Sequence, residues 1–141
     1  MKVLGETSHP AHEDSVPYLI EFVSEHAKNL GFPDQKVREI DLSLREALSN
    51  ILRFSCGDGH YELRIVCSLD NAGRFVLIIS DNGEPFNMLL ESDPFLTPDA
   101  ALASDQKPST KIMKRLIKNI EYKRFENKNV LTFTVPAMSG P

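Results

Sequence analysis

The sequence predicts an α+β domain of two layers, a mostly antiparallel sheet with helices covering one face. Three observations carry this: two stretches with apolar residues at helical spacing near the N-terminus, two pairs of alternating segments joined by turn residues, and their order along the chain. In the first stretch Val16, Leu19, Ile20, Val23, Ala27 and Leu30 share one helical face, and Gly31 followed by Pro33 supplies a stop. The second begins at Asp34, a suitable N-cap, and aligns Val37, Ile40, Leu44, Leu48 and Ile51 toward a core. After Gly57-Asp58-Gly59, the positions Tyr61, Leu63, Ile65, Cys67 and Leu69 alternate with mostly polar residues. Asn71-Ala72-Gly73 then turns into Phe75-Val76-Leu77-Ile78-Ile79, a β-hairpin.

The rest is read in the same way. Residues 87–110 contain Pro94, Pro98 and Pro108 with little periodicity and are expected to form a long loop over a site, since structureless loops beyond ~12 to 15 residues are uncommon in compact domains. Ile112, Leu116, Ile117 and Ile120 predict a third helix, and Glu121 to Phe125 with Val130 to Val135 a terminal hairpin turning at Asn127-Lys128-Asn129. Residues 1–6 are a weak candidate for an edge strand. All 141 residues are expected to form one domain, with 41% apolar and 26% charged residues in the ordinary globular range.

Composition narrows the function. With 20 acidic against 16 basic residues the net charge is −4, so no broad cationic field favours direct nucleic-acid binding or an anionic membrane. Cys56 and Cys67 form no CxxC pair, and neither a disulfide framework nor a zinc site is expected. No signal peptide is read at the N-terminus, and no apolar run approaches the roughly 20 residues needed to cross a bilayer. A cytoplasmic protein is expected.

Two groups of residues carry chemistry. Glu46 and Asn50 stand four apart, on one face of the second helix, where a carboxylate and an amide oxygen suit a magnesium ion and the carboxylate also suits a base. Asp81-Asn82-Gly83-Glu84-Pro85-Phe86 closes an apolar strand with a carboxylate and a glycine, a way to aim one carboxylate into a pocket. Each pattern alone also fits an ordinary surface or turn.

Taken in order, the Glu-(x)3-Asn helix, the hairpin, the Asp-x-Gly-x-Pro-Phe segment, the long loop and the terminal hairpin resemble the histidine kinase-like ATPase superfamily. Leu42-Ser43-Leu44-Arg45-Glu46-Ala47-Leu48-Ser49-Asn50, the Asp81 to Phe86 segment and Asn129-Val130-Leu131-Thr132-Phe133 look like segments of the bacterial anti-sigma factor serine kinases. The resemblance implies ATP and Mg2+ as cofactors, Glu46 as catalytic base and metal-site residue, and Asn50 as magnesium ligand. It further implies Asp81 as acceptor for the adenine amino group, with Gly83 and Phe86 around the purine. The implied partners are a sigma factor and an anti-anti-sigma protein of the STAS type, with a second copy of the chain as a further candidate. A half of a larger sensor kinase is less expected, since no phosphoacceptor helix is read ahead of the first helix.

The sequence departs from that family twice. Phe54 stands eight residues after Glu46, where the family has histidine. Gln106-Lys107-Pro108-Ser109-Thr110 falls where the family closes its loop with Gly-x-Gly, and a phosphate nest without glycine, and with one N-H lost to Pro108, cradles weakly. Side-chain contacts from Lys107, Ser109, Thr110 and Lys111 are the compensation available. Two functional readings follow: an ATP-dependent protein serine kinase, and an interaction module of the same fold without efficient ATP binding.

Overall fold

The computed structural model describes residues 1–92 and 107–138. Apolar stripes decide the first half of the chain. Strand β1 (Lys2–Pro10) leads through a short 3-10 turn, Glu13–Ser15, into α1 (Val16–Asn29), whose Leu19, Ile20, Val23 and Ala27 are buried. Gly31, at φ +89°, ends the turn after α1 where a side chain would be strained. Helix α2 (Asp34–Asn50) buries Val37, Ile40, Leu44 and Leu48; Asp34 is its first residue, and Pro33 rather than Asp34 takes the cap position. The helix then widens into a π-helical stretch, Ile51–Cys56, closed by the Gly57 N-H donating to the Leu52 carbonyl at 2.9 Å.

Strands β2 (Glu62–Leu69) and β3 (Phe75–Asp81) form the expected hairpin, followed by a short α3 (Met88–Glu91), α4 (Lys111–Leu116), β4 (Asn119–Phe125) and β5 (Lys128–Val135). All pairings are antiparallel and the order across the sheet is β1-β2-β3-β5-β4. Inward residues of the three central strands, among them Leu63, Ile65, Phe75, Leu77, Ile79 and Phe133, meet the stripes of α1 and α2 in one core. The expected two-layer arrangement is therefore the observed one.

Three boundaries differ from expectation. The edge strand runs from Lys2 to Pro10 instead of stopping at residue 6, with Lys2 opposite Leu69 and Pro10 opposite Glu62; its polar, Gly5-containing sequence is held by pairing with β2. The third helix ends at Leu116, because Ile117 is extended (φ −114°, ψ 115°) and Ile120 and Tyr122 face inward at the two-residue period of β4. The last turn is made by Glu126 and Asn127, at φ 50° and 63°, so Lys128 and Asn129 belong to β5. Of the expected loop, residues 88–91 form α3, with the Asn87 side chain accepting from the Leu89 N-H at 3.0 Å, and residues 93–106 lie outside the described residues.

Both cysteines are buried and unpaired, and burial pushes each thiol up to about 12, with the charge of Asp81 adding to the effect at Cys56. Neither thiol is a nucleophile at neutral pH. Among the described residues no helix is long and apolar enough to cross a membrane.

Candidate functional site

Strand alternation places Asp81 on the face of β3 that also carries Phe75, Leu77 and Ile79, so a carboxylate sits at the end of an apolar row and is only 2% exposed. A buried carboxylate is costly unless its oxygens find donors. Oδ1 finds several: it accepts from the Ser55 hydroxyl at 2.5 Å, the Gly83 N-H at 3.0 Å and the Asn129 amide at 3.1 Å. Oδ2 is buried and has no hydrogen-bond partner among the described residues. One side of the carboxylate is thus held by the protein while the other is left unmatched.

The donors come from three separate segments. The π-helical turn after α2 brings Ser55 to Asp81, and Gly83 packs so closely there that an added Cβ would lie 2.6 Å from both the carbonyl oxygen and the hydroxyl of Ser55. The close approach that Gly83 permits is therefore to Ser55. Asn129 faces Asp81 across the β3-β5 pairing and is 4% exposed. Its amide nitrogen also donates to Ser55 Oγ (2.9 Å) and to the Glu84 carbonyl (2.8 Å). Its oxygen accepts from the Phe86 N-H (3.0 Å) and the Tyr122 hydroxyl (2.6 Å), and burial raises the Tyr122 pKa. Phe86 is buried and stacks on Phe54, ring centroids 5.5 Å apart, so the residue standing where the family has histidine makes an apolar contact.

Asn129, Ser55 and Tyr122 were not singled out by sequence reasoning. Their positions depend on strand register and on the π turn, which only the fold supplies.

Beside Asp81 lies a cavity of about 10 Å³ lined by Ile79, Phe86, Met88, Tyr122 and Asn129. That is room for about one water, against ~300 Å³ or more for a small-molecule pocket. Larger clefts of about 670 and 820 Å³ are lined by His9, His12 and His60 and by His12, Arg45 and Arg53, and neither includes Asp81, Asn50 or Glu46. The unmatched carboxylate, rather than cleft size, marks the site.

Glu46 and Asn50 face the segment that follows residues 93–106. Asn50 is 5% exposed, and its amide donates to the Ser109 carbonyl at 2.8 Å and to Met88 Sδ at 3.6 Å. Met88 links this helix face to the cavity beside Asp81. The Glu46 carboxylate accepts from the Met113 N-H (2.9 Å), the Ile112 N-H (3.3 Å) and the Ser109 hydroxyl (3.2 Å). A carboxylate thereby satisfies two of the N-H groups that the first turn of α4 leaves open. Thr110 is buried and shares a 2.8 Å hydrogen bond with Ser92, Lys107 is half-buried, and Lys111 is exposed as the first residue of α4. Ser109 thus joins Glu46 to Asn50, and Met88 joins Asn50 to the cavity that Asp81 lines.

A family model described as a histidine kinase-like ATPase domain matches residues 9–135. The chain belongs to this family. Among solved structures it is similar to the RsbU and RsbW domains of Rv1364c from Mycobacterium tuberculosis, with a TM-score of 0.63, 10% identity, 94% of this chain covered and 32% of that one. It is also similar to the catalytic domain of the histidine kinase ThkA, with a TM-score of 0.57, 14% identity and coverage of 95% and 97%. The histidine kinase domain of the blue-light activated kinase EL346 from Erythrobacter litoralis gives a TM-score of 0.56, 14% identity and coverage of 91% and 61%. The chain spans about a third of the Mycobacterium protein's length, and at these identities the likeness is one of histidine kinase-like ATPase fold. No curated protein matches the chain.

Proposed function

We propose that this histidine kinase-like ATPase domain binds ATP and acts as a cytoplasmic serine kinase of the anti-sigma factor type, exchanging between a sigma factor and a STAS-type anti-anti-sigma protein. The observation that carries the reading is the buried, unmatched Oδ2 of Asp81. An acceptor left without a donor in the interior is destabilising, and the exocyclic amine of adenine supplies the missing donor. In this reading Gly83 and Phe86 belong to the floor around the purine. Asn50, with Glu46, holds magnesium, and Lys107, Ser109, Thr110 and Lys111 face the phosphates. Magnesium, when bound, neutralises phosphate charge. Glu46 accepts the proton of the partner's serine.

The donor and acceptor chemistry fits the nucleotide, whereas the space is filled by the chain itself. Binding therefore requires Met88 to leave the cavity beside Asp81 and the Ser109 carbonyl to leave Asn50. The second reading, an interaction module without nucleotide, is favoured by that small cavity and by the absence of glycine from Lys107 to Thr110. Calorimetric titration of the chain with ATP, with and without magnesium, separates the two. Saturable binding that tightens with magnesium is expected, and no binding at millimolar ATP would leave the interaction module.

A further inference from the structure

The hydrogen bond between Ser109 and Glu46 joins a serine hydroxyl to the carboxylate assigned as a base toward serine hydroxyls. It is 3.2 Å long, within the reach at which a base takes a proton, and it spans 63 residues of sequence. Helix α2 presents the carboxylate from one side, and Asn50 holds the Ser109 carbonyl at 2.8 Å from the next turn of the same helix. Two contacts thus fix both the backbone and the hydroxyl of Ser109. Ser55 also donates to a carboxylate, that of Asp81, but it is 3% exposed and packed against Gly83, with no room for a phosphoryl group. Ser109 is exposed and reachable from solvent.

We propose that Ser109 is a phosphoacceptor within the chain itself, its hydroxyl held by Glu46 for transfer of a phosphoryl group from ATP. This rests on the reading of the domain as an ATP-binding kinase. In the transfer a bond forms between Ser109 Oγ and the γ-phosphorus, the bond from that phosphorus to the bridging oxygen of ADP breaks, and the hydroxyl proton passes to Glu46. ADP is the leaving group. Once Glu46 releases that proton to water, the product places a phosphate of about two negative charges beside a carboxylate, and the repulsion dissolves the contact that keeps Ser109 on α2. Modification of Ser109 therefore frees Glu46 for a partner's serine.

The experiment incubates the full chain with ATP and magnesium and follows intact mass, with peptide mapping of any phosphoryl group and ATP affinity titrated on the same preparation. One phosphoryl group at Ser109 is expected, formed at a rate independent of protein concentration. Glu46→Gln should slow it by roughly a hundredfold or more. Ser109→Ala should abolish it, and Ser109→Thr, which keeps a hydroxyl, should retain it and so exclude a mere loss of folding. ATP binding without incorporation, or incorporation that survives Ser109→Ala, overturns the proposal and leaves the ATP-binding reading standing. No ATP binding at all overturns both.

Discussion

Replacing Asp81 by asparagine is expected to abolish the rise in melting temperature that the proposed function predicts for the parent chain with ATP and magnesium. At 100 times its dissociation constant a ligand adds ~2.7 kcal/mol of stability, a shift of several degrees for a domain of this size. Asparagine can keep an oxygen at the Oδ1 position for Ser55, Gly83 and Asn129, while placing an amide nitrogen where Oδ2 stands. Two amine donors would then oppose each other in the pocket and the purine would be refused. Without nucleotide the variant should stay within about 1 kcal/mol of the parent, because the substitution removes a buried charge. Thermal melts with and without ATP read both quantities, and a shift that persists in Asp81→Asn removes the aspartate from nucleotide binding.

The largest loss of stability outside the apolar core is expected for Asn129→Ala. One side chain there serves Asp81, Ser55, the Glu84 carbonyl, the Phe86 N-H and the Tyr122 hydroxyl, and of these residues all but Glu84 are buried or half-buried. Alanine removes the acceptor of the Phe86 N-H and of the Tyr122 hydroxyl, and each such group left unmet costs ~1 to 3 kcal/mol. A destabilisation of about 3 kcal/mol or more is expected in urea unfolding at an unchanged slope. A change below about 1 kcal/mol would mean that Asp81 is held by other means.

What could be read from the sequence follows the range of each signal. Helices α1 and α2 and the β2-β3 hairpin were legible because their stripes and turns are local, and the apolar stripes emerge buried as expected. Strand β1 was nearly silent, since Gly5, His9 and Pro10 carry no alternation and its place is set by a partner strand more than fifty residues away. The end of α4 was misplaced because Ile112, Leu116, Ile117 and Ile120 satisfy helical spacing while Ile120 and Tyr122 also satisfy strand spacing, and pairing with β5 decides.

The candidate site divides in the same manner. Glu46, Asn50 and Asp81 stood out by residue type and spacing. Asn129 did not, because its role exists only through its register opposite Asp81. Nor did the occupation of Glu46 and Asn50 by Ser109, which lies 63 and 59 residues away from them. The missing glycines from Lys107 to Thr110 pointed to a weak phosphate cradle, and the structure adds that part of this segment is already bound to the residues assigned to metal and base.

The most direct test compares the affinity of the chain for ATP and for inosine triphosphate, which has a carbonyl oxygen where adenine has its amine. If the orphan oxygen of Asp81 exists to receive that amine, the inosine nucleotide sets two acceptors against each other, and ATP should bind tighter by about a hundredfold or more. Equal affinity for the two would contradict the account, because the purine would then be bound without the buried carboxylate.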